Sequence, residues 1–274
     1  MAELWNTFVL EPVLNSLIAL TSVVAGNFGV AIIVLTVVVR LALYPLTVRQ
    51  TRSTKAMQAL QPKIQELQKK YAKNKQRLQQ ETMKLYKEVG INPLGCLWPM
   101  LIQLPIWIAL YQSIMQALAA TPENLLNLSE HLYSWAAVSQ AVPLNEHFLW
   151  LRLSKPDPNL ILAILVGGTM WVQQKMVTPP ATDSRQQSMT SMTTLMMPLM
   201  FGMFTLSFPS GLALYWVISN IIGIVIQYFV AGGWGYLRFS AAPKPVPAQK
   251  TGPAQQESPT IKKASGDKKG LFRK

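Results

Sequence analysis

Five stretches of the chain are apolar over enough residues to cross a lipid bilayer, and they limit the fold more than any other feature. Half of the 274 residues are hydrophobic and only 14% are charged, which is typical of a membrane protein. A bilayer core about 30 Å thick requires roughly 20 helical residues. The sequence therefore predicts an all-α polytopic membrane protein with five transmembrane helices, at 27–49, 93–118, 159–178, 193–209 and 211–231.

The charged residues between these stretches predict how the protein is oriented. Lysines and arginines outnumber acidic residues by 11 to 3 over 47–92 and by 9 to 2 over 231–274. Residues 119–158 carry two basic and four acidic residues instead. Because cytoplasmic loops of membrane proteins are enriched in Lys and Arg, the two basic segments are predicted to be cytoplasmic. The N-terminus and the loop 119–158 then lie outside, and the loop 179–192 and the C-terminus lie in the cytoplasm.

Residues 1–26 are also apolar, but less uniformly than the five stretches. Glu11-Pro12 and several polar residues interrupt them, so we predict an amphipathic helix at the membrane surface, with a sixth span as the alternative. The segment carries Glu3 and Glu11 where a signal peptide has Lys or Arg. This argues against a cleavable leader.

Residues 50–92 are predicted to form a cytoplasmic hairpin of two amphipathic helices. Apolar side chains recur every three or four residues, which is the pattern of an amphipathic helix. The pattern is interrupted at 73–75, where the turn is predicted, and it ends before Asn92-Pro93. The hairpin is either an anchor that only fixes topology or a docking arm for anionic lipid headgroups, RNA or a partner protein. The tail at 232–274 is basic and rich in Pro, Ala, Lys and Ser, which predicts disorder and a lipid or ribosomal RNA partner.

Arg40 lies inside the first predicted span, where a charged side chain is costly. Its side chain could bend toward the headgroups, but Arg49, Arg52 and Lys55 already supply cations there, and Thr36 adds a polar group one turn before Arg40. No acidic residue lies in any predicted span. A cation without a counter-ion must face water, so the sequence predicts a hydrated groove among the spans. Polar candidates to line it are Gln103, Gln112 and Gln116 in the second span, and Tyr215, Trp216, Ser219, Asn220 and Gln227 in the fifth.

The sequence predicts no enzyme, no cofactor and no metal site. Cys96 is the only cysteine and is expected to be a buried packing residue. Both histidines, His131 and His147, fall in the external loop, where a surface role is expected. No nucleotide-binding or hydrolase motif is present, and a proton- or sodium-coupled transporter would carry an intramembrane carboxylate.

Three stretches closely resemble the YidC/Oxa/Alb3 family of membrane protein insertases. They are RLALYPLTVRQTRSTKAMQALQPKIQELQKKY, INPLGCLWPMLIQLPIWIALYQSI and FPSGLALYWVISNIIGIVIQ, in family order from about residue 27 to residue 229. The resemblance implies a five-span core around a hydrophilic groove that is open to the cytoplasm and to lipid but closed to the outside. It also implies positions in that groove, namely Arg40, Thr36, Gln103, Trp107, Tyr215 and Trp216.

The resemblance implies a protein of the bacterial plasma membrane that inserts nascent membrane proteins and helps them to fold without nucleotide. Arg40 would attract the polar, often acidic, segment of a substrate while the apolar segment partitions into lipid. The ribosome is the implied partner of the tail and hairpin, and the Sec translocon and signal recognition particle are further candidates. Without a large external domain, a lipid-modified cysteine or a transit peptide, the chain looks like a minimal bacterial member.

Two other functions remain open at this point. One is an anion channel or carrier that uses Arg40 as its anion site. The other is an assembly factor that helps spans to fold without translocating anything.

Overall fold

Helices make up nearly all of the regular structure in the computed structural model, which describes residues 2–90, 98–118, 128, 131–133, 135, 144–178, 188 and 190–237. Cys96, half of the loop 119–158, most of the loop 179–192, and the tail from 238 onward lie outside the described residues. The expectations for those segments stay predictions.

The chain begins with an almost continuous helical rod. Helix α1 (Ala2–Trp5) passes through a π-helical turn (Asn6–Leu10) into α2 (Glu11–Val23). Residues Glu3–Val23 are long and apolar enough to cross a membrane. One face is nonetheless buried against other helices, and it carries Leu10, Leu14, Leu17 and Ile18. The surface helix and the sixth span therefore both stay predictions.

The first predicted span is a helix that bends sharply before its end. Helices α3 (Phe28–Ala42) and α4 (Tyr44–Ala59) meet at an angle of 62°. The side-chain oxygen of Asn27 caps the start of α3 by accepting a hydrogen bond of 3.1 Å from the Val30 N–H. Pro45, in the first turn of α4, has no N–H to donate to the preceding turn, so the helical hydrogen-bond ladder breaks here.

The segment predicted as a hairpin contains two further helices, α5 (Gln61–Lys70) and α6 (Lys75–Glu88), which pack on each other. Tyr71 lies in the turn between them, with the charged ends of Lys70 and Arg77 at 5.5 and 5.7 Å from its ring centre. The cytoplasmic position of this hairpin stays a prediction.

The remaining helices are α7 (Trp98–Ala117), α8 (Ile161–Val177), α9 (Met197–Phe204) and α10 (Ser210–Ala231), and a π-helical turn (Met192–Met196) leads into α9. Helix α8 packs on α9 and α10, and α10 also packs on α3, α4 and α7. Helices α8 and α9 approach closely at Gly167 and Gly202, since a Cβ on Gly202 would lie 3.0 Å from the Ala163 carbonyl oxygen.

The five predicted spans correspond to α3, α7, α8, the helix over 192–204 and α10. Among the described residues, two helices (Glu3–Val23 and Ser210–Ala231) meet the length and hydropathy expected of a span, and a third does if α3 and α4 count as one. Helix α8 and the helix over 192–204 are apolar but shorter. The protein is therefore a mostly helical protein with apolar helices suited to a membrane, and the number of spans stays a prediction.

A short β-hairpin departs from the predicted all-α fold. Strands β1 (His147–Phe148) and β2 (Leu151–Arg152) pair antiparallel. Strands of two residues are too short for the alternation by which a strand is recognised in a sequence. Beside the hairpin, the carboxylate of Glu146 accepts hydrogen bonds from Ser154 and Arg152, and these bonds lower the pKa of Glu146.

The β-hairpin segment closes one end of the helical core. The Ser210 N–H and Gly211 N–H at the start of α10 donate to the carbonyl oxygens of Lys155 and Leu153, at 2.7 and 3.1 Å. A Cβ on Gly211 would lie 3.1 Å from Ile114 Cδ1 and 3.2 Å from Ile32 Cδ1. This end is therefore filled with tightly packed apolar side chains.

Candidate functional site

Arg40 lines a polar cavity of about 320 Å³ at the end of the core opposite the β-hairpin, and we call it the Arg40 cavity. Arg40 lies in the last turn of α3, just before the bend. Because of the bend, residues of α4 line the same cavity as Arg40. The polar lining consists of Arg40 together with Thr47, Gln50, Thr51 and Thr54 of α4, Gln103 of α7, Gln173 and Gln174 of α8, and Gln227 of α10.

The charge of Arg40 has no counter-ion within the described part of the chain. Its Nε atom is buried without a hydrogen-bond partner, and neither of the two ion pairs found among the described residues includes it. An unpaired buried cation is costly unless water or a ligand solvates it. The cavity is polar and has room for water, which is the environment predicted from the sequence.

Two contacts organise the walls of the Arg40 cavity. The Gln103 side-chain NH₂ donates to the Tyr215 hydroxyl at 2.6 Å, which joins α7 to α10. The Gln173 side chain lies directly against Gly223, where a Cβ would be only 2.4 Å from Gln173 Nε2. Any side chain at Gly223 would therefore displace Gln173 from its present position.

Helix α4 is held over the cavity by two side chains. The Lys55 ammonium donates to the Ala231 carbonyl oxygen at 2.9 Å, and the Gln58 NH₂ donates to the Val177 carbonyl oxygen. Ala231 and Val177 are the last residues of α10 and α8, whose terminal carbonyls lack partners within their own helices. The bent helix is thus fastened to the ends of two others.

Thr36 lies one turn before Arg40 but lines a different cavity. That neighbouring cavity of about 190 Å³ is apolar and also borders Leu35, Ile106 and Tyr215. The Thr36 hydroxyl donates to the Ile32 carbonyl oxygen of its own helix at 2.6 Å. Thr36 and Arg40 therefore share one face of α3, as their spacing predicts, but only Arg40 lines the Arg40 cavity.

Trp107 and Trp216 belong to an aromatic cluster. Their ring centres are 5.3 Å apart, and each lies 5.7 Å from the ring centre of Phe201 in α9. Phe208 packs on Trp216 at 6.0 Å. Such edge-to-face contacts join α7, α9 and α10. The indole N–H of Trp216 is buried and has no hydrogen-bond partner among the described residues.

The remaining predicted residues, Ser219 and Asn220, lie deeper in the packing of α10. The Ser219 hydroxyl is buried and has no hydrogen-bond partner within the part of the chain that the structure describes. The Asn220 NH₂ donates to the Thr169 hydroxyl of α8 at 3.1 Å. Neither residue lines the Arg40 cavity.

Of the residues predicted to line the groove, the structure brings Arg40, Gln103 and Gln227 together in one cavity, with Tyr215 bonded to Gln103. Sequence reasoning missed the four α4 residues and the pair Gln173-Gln174. Both left a signal in the sequence. Thr47, Gln50, Thr51 and Thr54 recur at helical spacing, and two adjacent glutamines are unusual in an otherwise apolar helix.

Comparison with known proteins identifies the family of the chain. The family model described as 60Kd inner membrane protein matches residues 19–233. The chain belongs to this family. The resemblance to the YidC/Oxa/Alb3 insertases is confirmed, since relatives similar to this chain carry YidC names.

Three relatives illustrate the similarity. The chain is 38% identical over 233 residues to "Membrane protein insertase YidC 1" of Halalkalibacterium halodurans, covering 84% of this chain and 79% of the relative. It is 37% identical over 232 residues to "Membrane protein insertase MisCA" of Bacillus subtilis, covering 83% and 79%. It is 42% identical over 227 residues to YidC of Actinobacillus pleuropneumoniae serotype 3, covering 82% of this chain but only 37% of the relative.

A solved structure supports the same family. The chain resembles "Active YidC insertase crystal structure with the first transmembrane domain resolved", with a TM-score of 0.52 and 28% identity over 77% of this chain and 43% of that chain. These relatives are named as insertases and not after an enzymatic reaction. They support a bacterial inner membrane protein, and the anion channel or carrier left open by the sequence gains no support from them.

Proposed function

We propose that the protein is a membrane protein insertase that also helps its substrates to fold, and that the Arg40 cavity is the part of the groove that receives the polar segment of a substrate. The observation that carries this proposal is the unpaired Arg40 in a cavity walled by amide and hydroxyl groups. Such groups can replace the water that solvates a polar peptide segment.

The proposed arrangement has five spans, formed by α3, α7, α8, the helix over 192–204 and α10. The hairpin of α5 and α6 and the C-terminus are cytoplasmic, and the N-terminus is external, because the basic segments then lie in the cytoplasm. The Arg40 cavity opens toward the cytoplasm and lipid. The packed end beside the β-hairpin, at Gly211, faces outside and supports closure on that side.

In this mechanism Arg40 attracts a polar or acidic segment part of the way across the bilayer. The distance that the segment must cross without solvation is thereby shortened. The membrane potential, negative inside, favours outward movement of each negative charge by about 2.3 kcal/mol per 100 mV. The substrate's apolar segment meanwhile passes into lipid, driven by burial of its apolar surface.

Nascent membrane proteins are the proposed substrates. The ribosome is the proposed partner of the basic tail and the hairpin, through salt-sensitive attraction to RNA. The Sec translocon and the signal recognition particle are further candidate partners. Five other predicted residues do not line the Arg40 cavity, and we propose that they contact substrate only if the packed helices separate. They are Thr36, Trp107, Trp216, Ser219 and Asn220.

Site-specific photocrosslinking tests the proposal. A photoreactive residue replaces Gln103 or Gln227, which line the Arg40 cavity, or Val38, whose side chain is exposed on α3. Each variant meets ribosomes stalled on a single-span membrane protein with a polar external tail. We expect adducts at Gln103 and Gln227 that increase as the nascent span emerges, and weaker adducts at Val38.

A matched substrate provides the control. When its polar tail is replaced by an apolar one of equal length, the adducts at Gln103 and Gln227 should fall several-fold. Equal labelling at all three positions, or labelling that ignores the polarity of the tail, would refute the role of the Arg40 cavity.

A further inference from the structure

A further cavity lies between α8 and α9, and its lining is apolar where that of the Arg40 cavity is polar. It is an open cleft of about 560 Å³ whose lining residues are all apolar, among them Ile164, Gly168, Trp171, Leu195 and Leu199. We call it the apolar cleft. Gly168 leaves its side of the cleft empty, because a Cβ there would have nothing within 4 Å.

A lysine continues the α8 wall of the apolar cleft. Ile164, Gly168, Trp171 and Lys175 follow one another at intervals of four, three and four residues, so they share one face of α8. Lys175 lies one turn beyond Trp171, in the last turn of the helix. Within the described part of the chain its ammonium group has no hydrogen bond or ion pair.

The size of the cleft limits what can occupy it. The cleft is open along one side, so an α-helix about 10 Å across would be only partly enclosed by it. A lipid acyl chain is much thinner and can lie along the cleft for most of its length. An apolar surface at this depth in a bilayer meets acyl chains, and a lysine at the end of the same face favours an anionic headgroup.

We propose that the apolar cleft and Lys175 form a binding site for an anionic phospholipid, with one acyl chain in the cleft and the phosphate at the Lys175 ammonium. This rests on the proposed arrangement in which α8 and α9 cross the bilayer and α8 ends on the cytoplasmic side. Trp171 then lies between the lipid's acyl chain and its headgroup, at the membrane–water interface where tryptophan is enriched. The site is separate from the Arg40 cavity, since none of its lining residues is shared.

Native mass spectrometry of the purified full chain tests the site. The delipidated protein is mixed with equal amounts of phosphatidylglycerol and phosphatidylcholine that carry identical acyl chains. We expect several-fold more phosphatidylglycerol adducts on the unmodified protein. Lys175→Gln should remove that preference, whereas Lys155→Gln, at an exposed lysine near the β-hairpin, should keep it.

A second variant tests the cleft itself. Gly168→Leu fills the empty side of the cleft and should lower the adducts of both lipids several-fold. Val172→Leu, on the same helix but outside the cleft, should leave them unchanged. Helical content measured by circular dichroism verifies that each variant is folded.

Three results would overturn the proposal. The first is equal binding of the two lipids to the unmodified protein, and the second is unchanged lipid binding in both Lys175→Gln and Gly168→Leu. The third is a dimer that forms in the unmodified protein and is abolished by Gly168→Leu, because the cleft would then be a contact between two copies of the chain. Substrate insertion by the unmodified protein is measured in parallel. If the unmodified protein prefers phosphatidylglycerol but does not insert the substrate, only the proposed function is refuted. If it inserts the substrate but shows no lipid preference, only the lipid site is refuted.

Discussion

At the scale of single residues, Asn15 illustrates how this chain buries a polar group. The side chain is completely buried in α2. Its NH₂ donates to the carbonyl oxygens of Glu11 and His131, at 2.9 and 2.8 Å, and its oxygen accepts from the Tyr133 N–H at 2.7 Å. Asn15 therefore fastens the N-terminal helix to a segment of the loop 119–158, which is far away in sequence.

We predict that Asn15→Leu destabilises the protein by about 1–3 kcal/mol, because it removes the acceptor of the Tyr133 N–H and a donor to the His131 carbonyl. Thermal unfolding in detergent measures the loss. The control is Ser22→Ala, since the exposed Ser22 hydroxyl bonds, among the described residues, only to the Ala19 carbonyl of its own helix. A change within about 0.5 kcal/mol in the free energy of unfolding is expected. Equal effects of the two substitutions would contradict the structural role of Asn15.

Single residues also mark how far the sequence alone could go. The unpaired charge of Arg40 was predictable, because no predicted span contains an acidic residue. The fate of Thr36 was not, since a hydroxyl in a helix can donate to the preceding turn as readily as to a cavity, and here it donates to Ile32. Spacing identifies the helical face but not the bond that a side chain forms.

At the scale of helices, the bend after α3 determines the shape of the Arg40 cavity. The sequence predicts a break near Tyr44-Pro45, but the angle of 62° and the direction of α4 depend on tertiary contacts. Two of these are the bonds from Lys55 and Gln58 to the ends of α10 and α8. A sequence pattern gives the polar face of α4, and only the packed structure places that face over Arg40.

The contact between α8 and α9 permits a prediction with a matched pair of glycines. Gly202→Ala places a methyl group 3.0 Å from the Ala163 carbonyl oxygen, so the helices must separate slightly. We expect the free energy of unfolding to fall by about 1–3 kcal/mol. Gly168→Ala meets nothing within 4 Å and should stabilise the helix by up to about 1 kcal/mol. Unfolding in detergent distinguishes the two, and a loss of stability in both would show that close approach is not the cause.

At the scale of the whole molecule, the two ends of the helical core differ in chemistry. One end holds the Arg40 cavity with its amide and hydroxyl walls. At the other end, the apolar side chains of Ile32 and Ile114 and the backbone of Leu153 close on Gly211. The sequence predicted which segments are apolar and which side is basic. Closure of one end was expected only from the family resemblance, because composition and spacing do not reveal contacts between residues distant in sequence.

This closure predicts that the protein does not conduct anions. Purified protein in chloride-loaded liposomes with an imposed potential should release chloride no faster than protein-free liposomes, because the described residues at the Gly211 end of the core, among them Ile32 and Ile114, are tightly packed and apolar. A chloride ionophore added at the end verifies that the liposomes are intact. Arg40→Gln serves as the paired variant and should release chloride at the same background rate. Release by the unmodified protein that Arg40→Gln abolishes would instead identify Arg40 as an anion site on a conducting path, and the proposed groove would have to be open at both ends.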